Sequence, residues 1–178
     1  MPFPFKIGFF KILPPVYPQL AWLVLRKIHN DCRTMLTIEH TIPESVSPSA
    51  ERPEGMPLYF DGGLLGFEAN KQFELIADEE LKPFQWLKGM DADQSFLVIP
   101  PAFVVGNYSV EISDDDVALL GIRSTEDAQV ICIATYHANE TVTINLKGPI
   151  IFNQQTGQAR QIVPLNAAEL SLCHPMGN

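Results

Sequence analysis

Apolar and polar residues alternate along much of this chain. In the stretch 141–147, Val142, Ile144 and Leu146 alternate with Thr143, Asn145 and Lys147, the period of a strand with one face buried and one wet. Gly148-Pro149 interrupts it, since glycine admits unusual φ values and proline has no N–H to donate to a ladder. Ile150-Ile151-Phe152-Asn153 follows. Three bulky apolar residues in a row put at least one on the face away from the core side. That face is either a second buried face or a contact surface for another protein.

The same reading predicts strands over 58–60, 72–77, 95–99, 108–112 and 130–136, with turns at 61–63 and 154–158, the latter leading into a segment over 159–164. Residues 83–87 read as one helical turn with Pro83 near its start. Ser113, Asp114, Asp115 and Asp116 ahead of Val117-Ala118-Leu119-Leu120-Gly121 give a capping hydroxyl, acids in the first turn and a glycine stop, the signature of a short helix. Many short strands with two or three short helices predict a mainly β fold, a small antiparallel β-barrel or rolled sheet. No repeat period is visible.

Composition then divides the chain. It has 178 residues, 46% of them hydrophobic, enough for one domain with a core plus an extension. Residues 1–34 form a basic, apolar extension broken by Pro2, Pro4, Pro14, Pro15 and Pro18. Its longest uncharged run, 12–25, is short for a bilayer span and holds three prolines. A signal peptide would need small residues for cleavage after Leu25, where Arg26-Lys27 stands instead. Residues 21–28 fit a short amphipathic helix, and the change of composition at Met35 makes that residue a candidate translation start. Residues 35–57 are a Pro/Ser-rich linker (Pro43, Ser45, Ser47, Pro48, Ser49, Pro53, Pro57). The compact domain is expected over 58–178.

Charge follows the same division. Residues 1–34 carry five basic residues against Asp31, a net +4, which leaves seven basic against twenty acidic residues, −13, in the remainder. An acidic body repels phosphate backbones, so no direct nucleic-acid binding is expected. It suits a basic protein partner by steering encounter, and it also serves solubility. Cys32, Cys132 and Cys173 are odd in number and far apart, with no metal-ligand spacing, which points to a reduced, cytoplasmic setting with no membrane association. In such a setting Asn107-Tyr108-Ser109 and Asn139-Glu140-Thr141 are not glycosylation acceptors.

Catalytic chemistry is hard to find. Nucleophile-elbow, phosphate-loop, dinucleotide and metalloprotease motifs do not occur. Asp114–Asp116 cannot all face one ion, and first-turn acids stabilise a helix dipole without metal. His137 reads as a hairpin-tip residue, Cys132 as a small core hydrophobe between Ile131 and Ile133, and Asp91 and Asp93 as loop surface. A non-enzyme without cofactor or metal is expected. Gly63-Leu64-Leu65-Gly66-Phe67-Glu68 sets large aliphatics between glycines, where φ > 0 or close backbone approach is expected. Such a turn either packs into the core or presents Leu64 or Phe67 to a partner, with Phe67 expected in the core.

Phe60, the run 63–68, Phe73, Pro83-Phe84 with Leu87, the 96–99 strand ending in Pro101, Tyr108 and the run 145–151 together, in this order, resemble the FliW family of flagellar assembly factors. Leu65 stands where that family commonly has proline, Gly148 where it commonly has alanine, and Pro100-Pro101 where Asp-Pro or Asn-Pro is usual. The resemblance spans about residues 58–176. It implies a small cytoplasmic β-barrel that binds flagellin and binds CsrA, a translational repressor of flagellin mRNA, antagonising it allosterically. The expected partner surface is Ile150, Ile151 and Phe152 with Asn145, Lys147 and Leu64. A flagellin-only chaperone and a small-ligand barrel are the alternatives.

Overall fold

The computed structural model describes the backbone of residues 5–8 and all of residues 55–91 and 94–176. The strands are β1 (Phe5–Gly8), β2 (Met56–Phe60), β3 (Gln72–Ala77), β4 (Gln85–Gly89), β5 (Ser95–Ile99), β6 (Ser109–Ile112), β7 (Ala128–Tyr136), β8 (Val142–Ile144), β9 (Ile150–Asn153), β10 (Gln158–Gln161) and β11 (His174–Pro175). One α-helix, α1 (Asp114–Leu120), and 3-10 turns at Pro101–Phe103 and Ala167–Glu169 complete the described elements.

Seven strands close into a barrel in the order β7-β5-β4-β3-β2-β10-β9, the last pairing back onto β7. Six of these seven contacts are antiparallel and one, β2 with β10, is parallel, so the expected antiparallel barrel is correct but for one seam. Strand β7 makes the closure possible. Its first half, residues 128–131, pairs with β9, and its last residues, 134–136, pair with β8. The corner at 145–149 carries the chain from one partner to the other. The two strands expected on either side of Gly148-Pro149 therefore exist but do not form a hairpin with each other. β8 also stops at Ile144, short of the alternation that runs to Lys147.

Two cores follow from the closure. Inside the barrel, Leu58, Phe60, Leu64, Phe73, Leu87, Val98, Ile131, Ile150 and Phe152 pack together. Outside it, Leu97, Ile99, Val130, Cys132 and Ile151 pack under a layer made by Tyr108, Val110, Ile112, Leu120 and Ile122. In the second layer β6 pairs with β1 on one edge. On the other edge the Asn166 amide and the Leu165 N–H bond to the β6 backbone. Strands β5, β7 and β9 are thus covered on both faces, which is why they read as continuous apolar runs. This corrects the expected contact ribbon: Ile150 and Ile151 are fully enclosed and Phe152 is 4% exposed. Their alternate faces feed the two different cores.

Two further expectations change. Residues 83–87 hold no helical turn; Gln85–Gly89 is a strand paired along its length with β3. Leu87 enters the barrel while Trp86 packs on the outer core, a two-sided burial that also fits a single helical turn in sequence. The helix at 114–120 is as expected, with Ser113 Oγ accepting from the Asp116 N–H and Gly121 ending it at φ 62. The 21–28 helix, the candidate start at Met35, most of the linker and Asp93 lie outside the described residues.

Candidate interaction surface

Within the corner at 145–149, the Asn145 side chain folds back on the backbone that follows it. Asn145 Oδ1 accepts from the backbone N–H groups of Lys147 (3.1 Å) and Gly148 (2.8 Å), the self-bonding turn that asparagine favours. Gly148 is buried beneath it. A Cβ there would lie 3.0 Å from Asn145 Nδ2 and 3.3 Å from Gln161 Nε2, so close approach, not a positive φ, is what the position asks of glycine.

Gln161 ties this corner to the loop after β2. Its Nε2 donates to the Gly148 carbonyl at 3.1 Å, and its Oε1 accepts from the Leu65 N–H at 3.1 Å. The loop is built on a tight turn in which Phe67 N–H donates to the Leu64 carbonyl at 2.8 Å. Gly66 at φ 85 supplies the left-handed residue that a type II turn needs. Gly63, at φ 73, has the Glu68 backbone 2.6 Å from where a Cβ would stand. Glu68 Oε1 accepts from the Gly66 N–H at 2.9 Å, and the backbone N–H groups of Gly66 and Glu68 hold its carboxyl below the usual range. The left-handed glycines and close approach expected here are both present.

Burial in this loop inverts the expectation for its apolar residues. Leu64 is 1% exposed and belongs to the barrel core, whereas Leu65 is 60% and Phe67 39% exposed. Phe67 stands edge-on to Phe96 at 5.0 Å. Beyond Gln161, Val163 is 64% exposed. Of the six expected surface residues, Asn145 and Lys147 lie at the half-exposed corner, while Leu64, Ile150, Ile151 and Phe152 are structural. Leu65, Gln161 and Val163 were not anticipated. Leu65 carried a signal, as one of two large aliphatics set between glycines; Gln161 carried none, since its role depends on two loops far away in sequence.

Other polar residues are structural as well. Tyr108 Oη donates to the Leu146 carbonyl at 2.7 Å, beside the Cys132 thiol. Burial pushes that thiol up to about 12 and raises the phenol too. His137 caps the β7–β8 hairpin, its backbone N–H donating to the Thr141 carbonyl and its Nε2 2.7 Å from Thr143 Oγ1. No group of three His, Cys, Asp or Glu residues among the described ones could hold a metal ion. No helix among them is long and apolar enough to cross a membrane.

A small closed barrel is the class of fold seen in a solved structure, the crystal structure of the flagellar assembly factor FliW. It matches with a TM-score of 0.64 and 25% identity, covering 68% of this chain and 86% of that one. The family model for FliW protein matches residues 44–176. The chain belongs to the FliW family. The flagellar assembly factor FliW of Leptospira biflexa is 36% identical over 109 residues, 60% of this chain and 71% of that protein. That of Thermosipho africanus is 36% identical over 108 residues (58% and 74%), and that of Borreliella afzelii 32% over 118 (65% and 89%).

Proposed function

We propose that this chain is a non-catalytic, cytoplasmic protein antagonist that binds flagellin and CsrA, so that flagellin mRNA is translated when the chain is free to hold CsrA. The observation that carries the reading is its membership of the flagellar assembly factor family. Two features of the molecule support it. The part of the chain after residue 34 carries twenty acidic against seven basic residues, which steers a basic, RNA-handling protein without binding RNA itself. The surface around Gln161 offers Leu65 and Val163, both more than half exposed, as apolar anchors beside polar Asn145 and Lys147, the mixture of greasy centre and polar rim that protein interfaces use. The small-ligand alternative loses its ground, because core side chains fill the barrel interior.

Titration calorimetry of the purified chain against CsrA and against flagellin tests the proposal. Both are expected to bind, and Leu65→Glu with Val163→Glu is expected to weaken at least one of them by tenfold or more with circular dichroism unchanged. Binding of flagellin alone reduces the function to that of a flagellin chaperone, and binding of neither overturns it.

A further inference from the structure

The two edges of β6 are held by very different means. Val110 and Ile112 anchor the strand by full burial in the outer core. On one edge, Glu111 donates its backbone N–H to Asn166 Oδ1 at 3.1 Å and its carbonyl accepts from the Leu165 N–H at 2.7 Å. The Ser109 carbonyl accepts from Asn166 Nδ2 at 3.1 Å on the same side. Backbone groups alternate in direction along a strand, so those of Val110 and Ile112 point to the other edge, the one that β1 covers. That cover is slight. β1 has four residues, with Phe5 opposite Ile112, Lys6 opposite Glu111, Ile7 opposite Val110 and Gly8 opposite Ser109. It forms with β6 a sheet of only two strands, an arrangement with little stability of its own. Residues 9–55, 47 in all, separate it from β2, so the pairing also bears the entropy of closing a long loop. β1 lies outside the residues 44–176 that match the family model. A preformed edge under a short, distantly tethered strand is the arrangement in which one strand can be exchanged for another.

We propose that β6 is a strand-acceptor site which β1 occupies in cis, and that an extended, basic segment of a partner protein takes the place of β1 by adding antiparallel to β6. β1 shows what the edge accepts. The positions opposite Val110 and Ile112 exchange main-chain bonds with them, so proline is excluded at both. The position between them stands opposite Glu111, where Lys6 is in this chain; a base there is favoured and an acid opposed. The body of the chain favours the same sign, with seven basic against twenty acidic residues after residue 34. Because β1 and the partner need the same backbone groups, the partner's apparent affinity is lowered by the fraction of chains in which β1 is seated. The extension thus sets a threshold for the partner. This site does not involve Gln161 and does not rest on CsrA or flagellin being the partner.

The test uses the full chain, labelled with nitrogen-15, and as probe a capped peptide of residues 4–9, Pro-Phe-Lys-Ile-Gly-Phe. In Ile7→Pro, which removes a ladder N–H of β1, the peptide is expected to shift the backbone amides of Val110 and Ile112 saturably. The unaltered chain, where β1 competes, is expected to need about tenfold more peptide or beyond. Phe5→Pro, at the other ladder position, is expected to behave as Ile7→Pro does, and circular dichroism checks that both variants keep the barrel. Methylating the backbone nitrogen of the peptide's isoleucine is expected to weaken binding about tenfold. Glutamate in place of the peptide's lysine is expected to weaken it about threefold, and equal binding of that peptide overturns the basic character of the partner. Shifts that map away from β6 or do not appear overturn the proposal. So does equal binding of the methylated peptide, or equal binding of the probe to the altered and unaltered chains.

Discussion

Gln161 Oε1 accepts a 3.1 Å hydrogen bond from the backbone N–H of Leu65, 96 residues earlier in the chain. Leu65 has an N–H that a proline would lack, and this chain uses it. Leu65→Pro removes that donor but places proline at the second position of a type II turn, where its fixed φ is favoured. The lost bond costs about 1 kcal/mol and the stiffened unfolded chain returns about 0.4–1 kcal/mol. Urea denaturation is expected to show little net change, and Gln161→Leu in the Leu65→Pro background should cost less than in the original chain.

Ile150→Arg is expected to give no folded protein, because the side chain enters the filled barrel with no partner for its charge. Ile151→Ala, in the outer core, is expected to fold with a loss of about 2–5 kcal/mol. Denaturant midpoints by circular dichroism check both. A folded Ile150→Arg with an unchanged midpoint would contradict the assignment of β9 to two cores.

Asp127 Oδ2 accepts from the backbone N–H groups of Arg123 (3.0 Å) and Ser124 (2.9 Å), which pin the loop before β7. These bonds to the ionised carboxylate hold its pKa below the ordinary value. A carboxyl depressed in the folded state contributes stability that is present above its unfolded pKa and disappears as pH falls through the folded one. Asp127→Asn is expected to lower the urea midpoint at pH 7 and to differ less and less from the original chain as the pH drops below 4. A gap that persists at pH 2.5 would assign the effect to something other than the charge.

Tyr108 joins β6 to the segment after β8 through its bond to the Leu146 carbonyl. Tyr108→Phe leaves that buried carbonyl short of a donor, and a loss of about 1–3 kcal/mol is expected. Burial raises the phenol pKa, so its contribution is complete below the unfolded value near 10 and is lost as pH climbs beyond it. In an alkaline absorbance titration one tyrosine should therefore ionise only as the protein unfolds.

Local chemistry was legible wherever it was self-contained. Ser113, the three aspartates and Gly121 specified α1 almost to the residue, and Gly63 and Gly66 announced their left-handed turn. The run 150–152 did not disclose its role, because the same three residues suit an exposed ribbon or a strand between two cores. The choice rests on β6 and α1 covering the barrel wall, a long-range fact. Residues 83–87 misled for a related reason, since burial on two sides looks alike in a helical turn and in a central strand. Gln161 was invisible because polar side chains have no periodicity that marks a bridge.

Most strands keep their alignment because sliding by one position would turn greasy side chains out into water. Strand β9 lacks that safeguard, since Ile150, Ile151 and Phe152 are enclosed whichever way they point. Its alignment must instead be dictated from upstream by the pinned Asn145–Gly148 bend. Lengthening that bend by a single residue would swap two cores' contents without exposing any of them, leaving a chain that collapses readily yet packs wrongly.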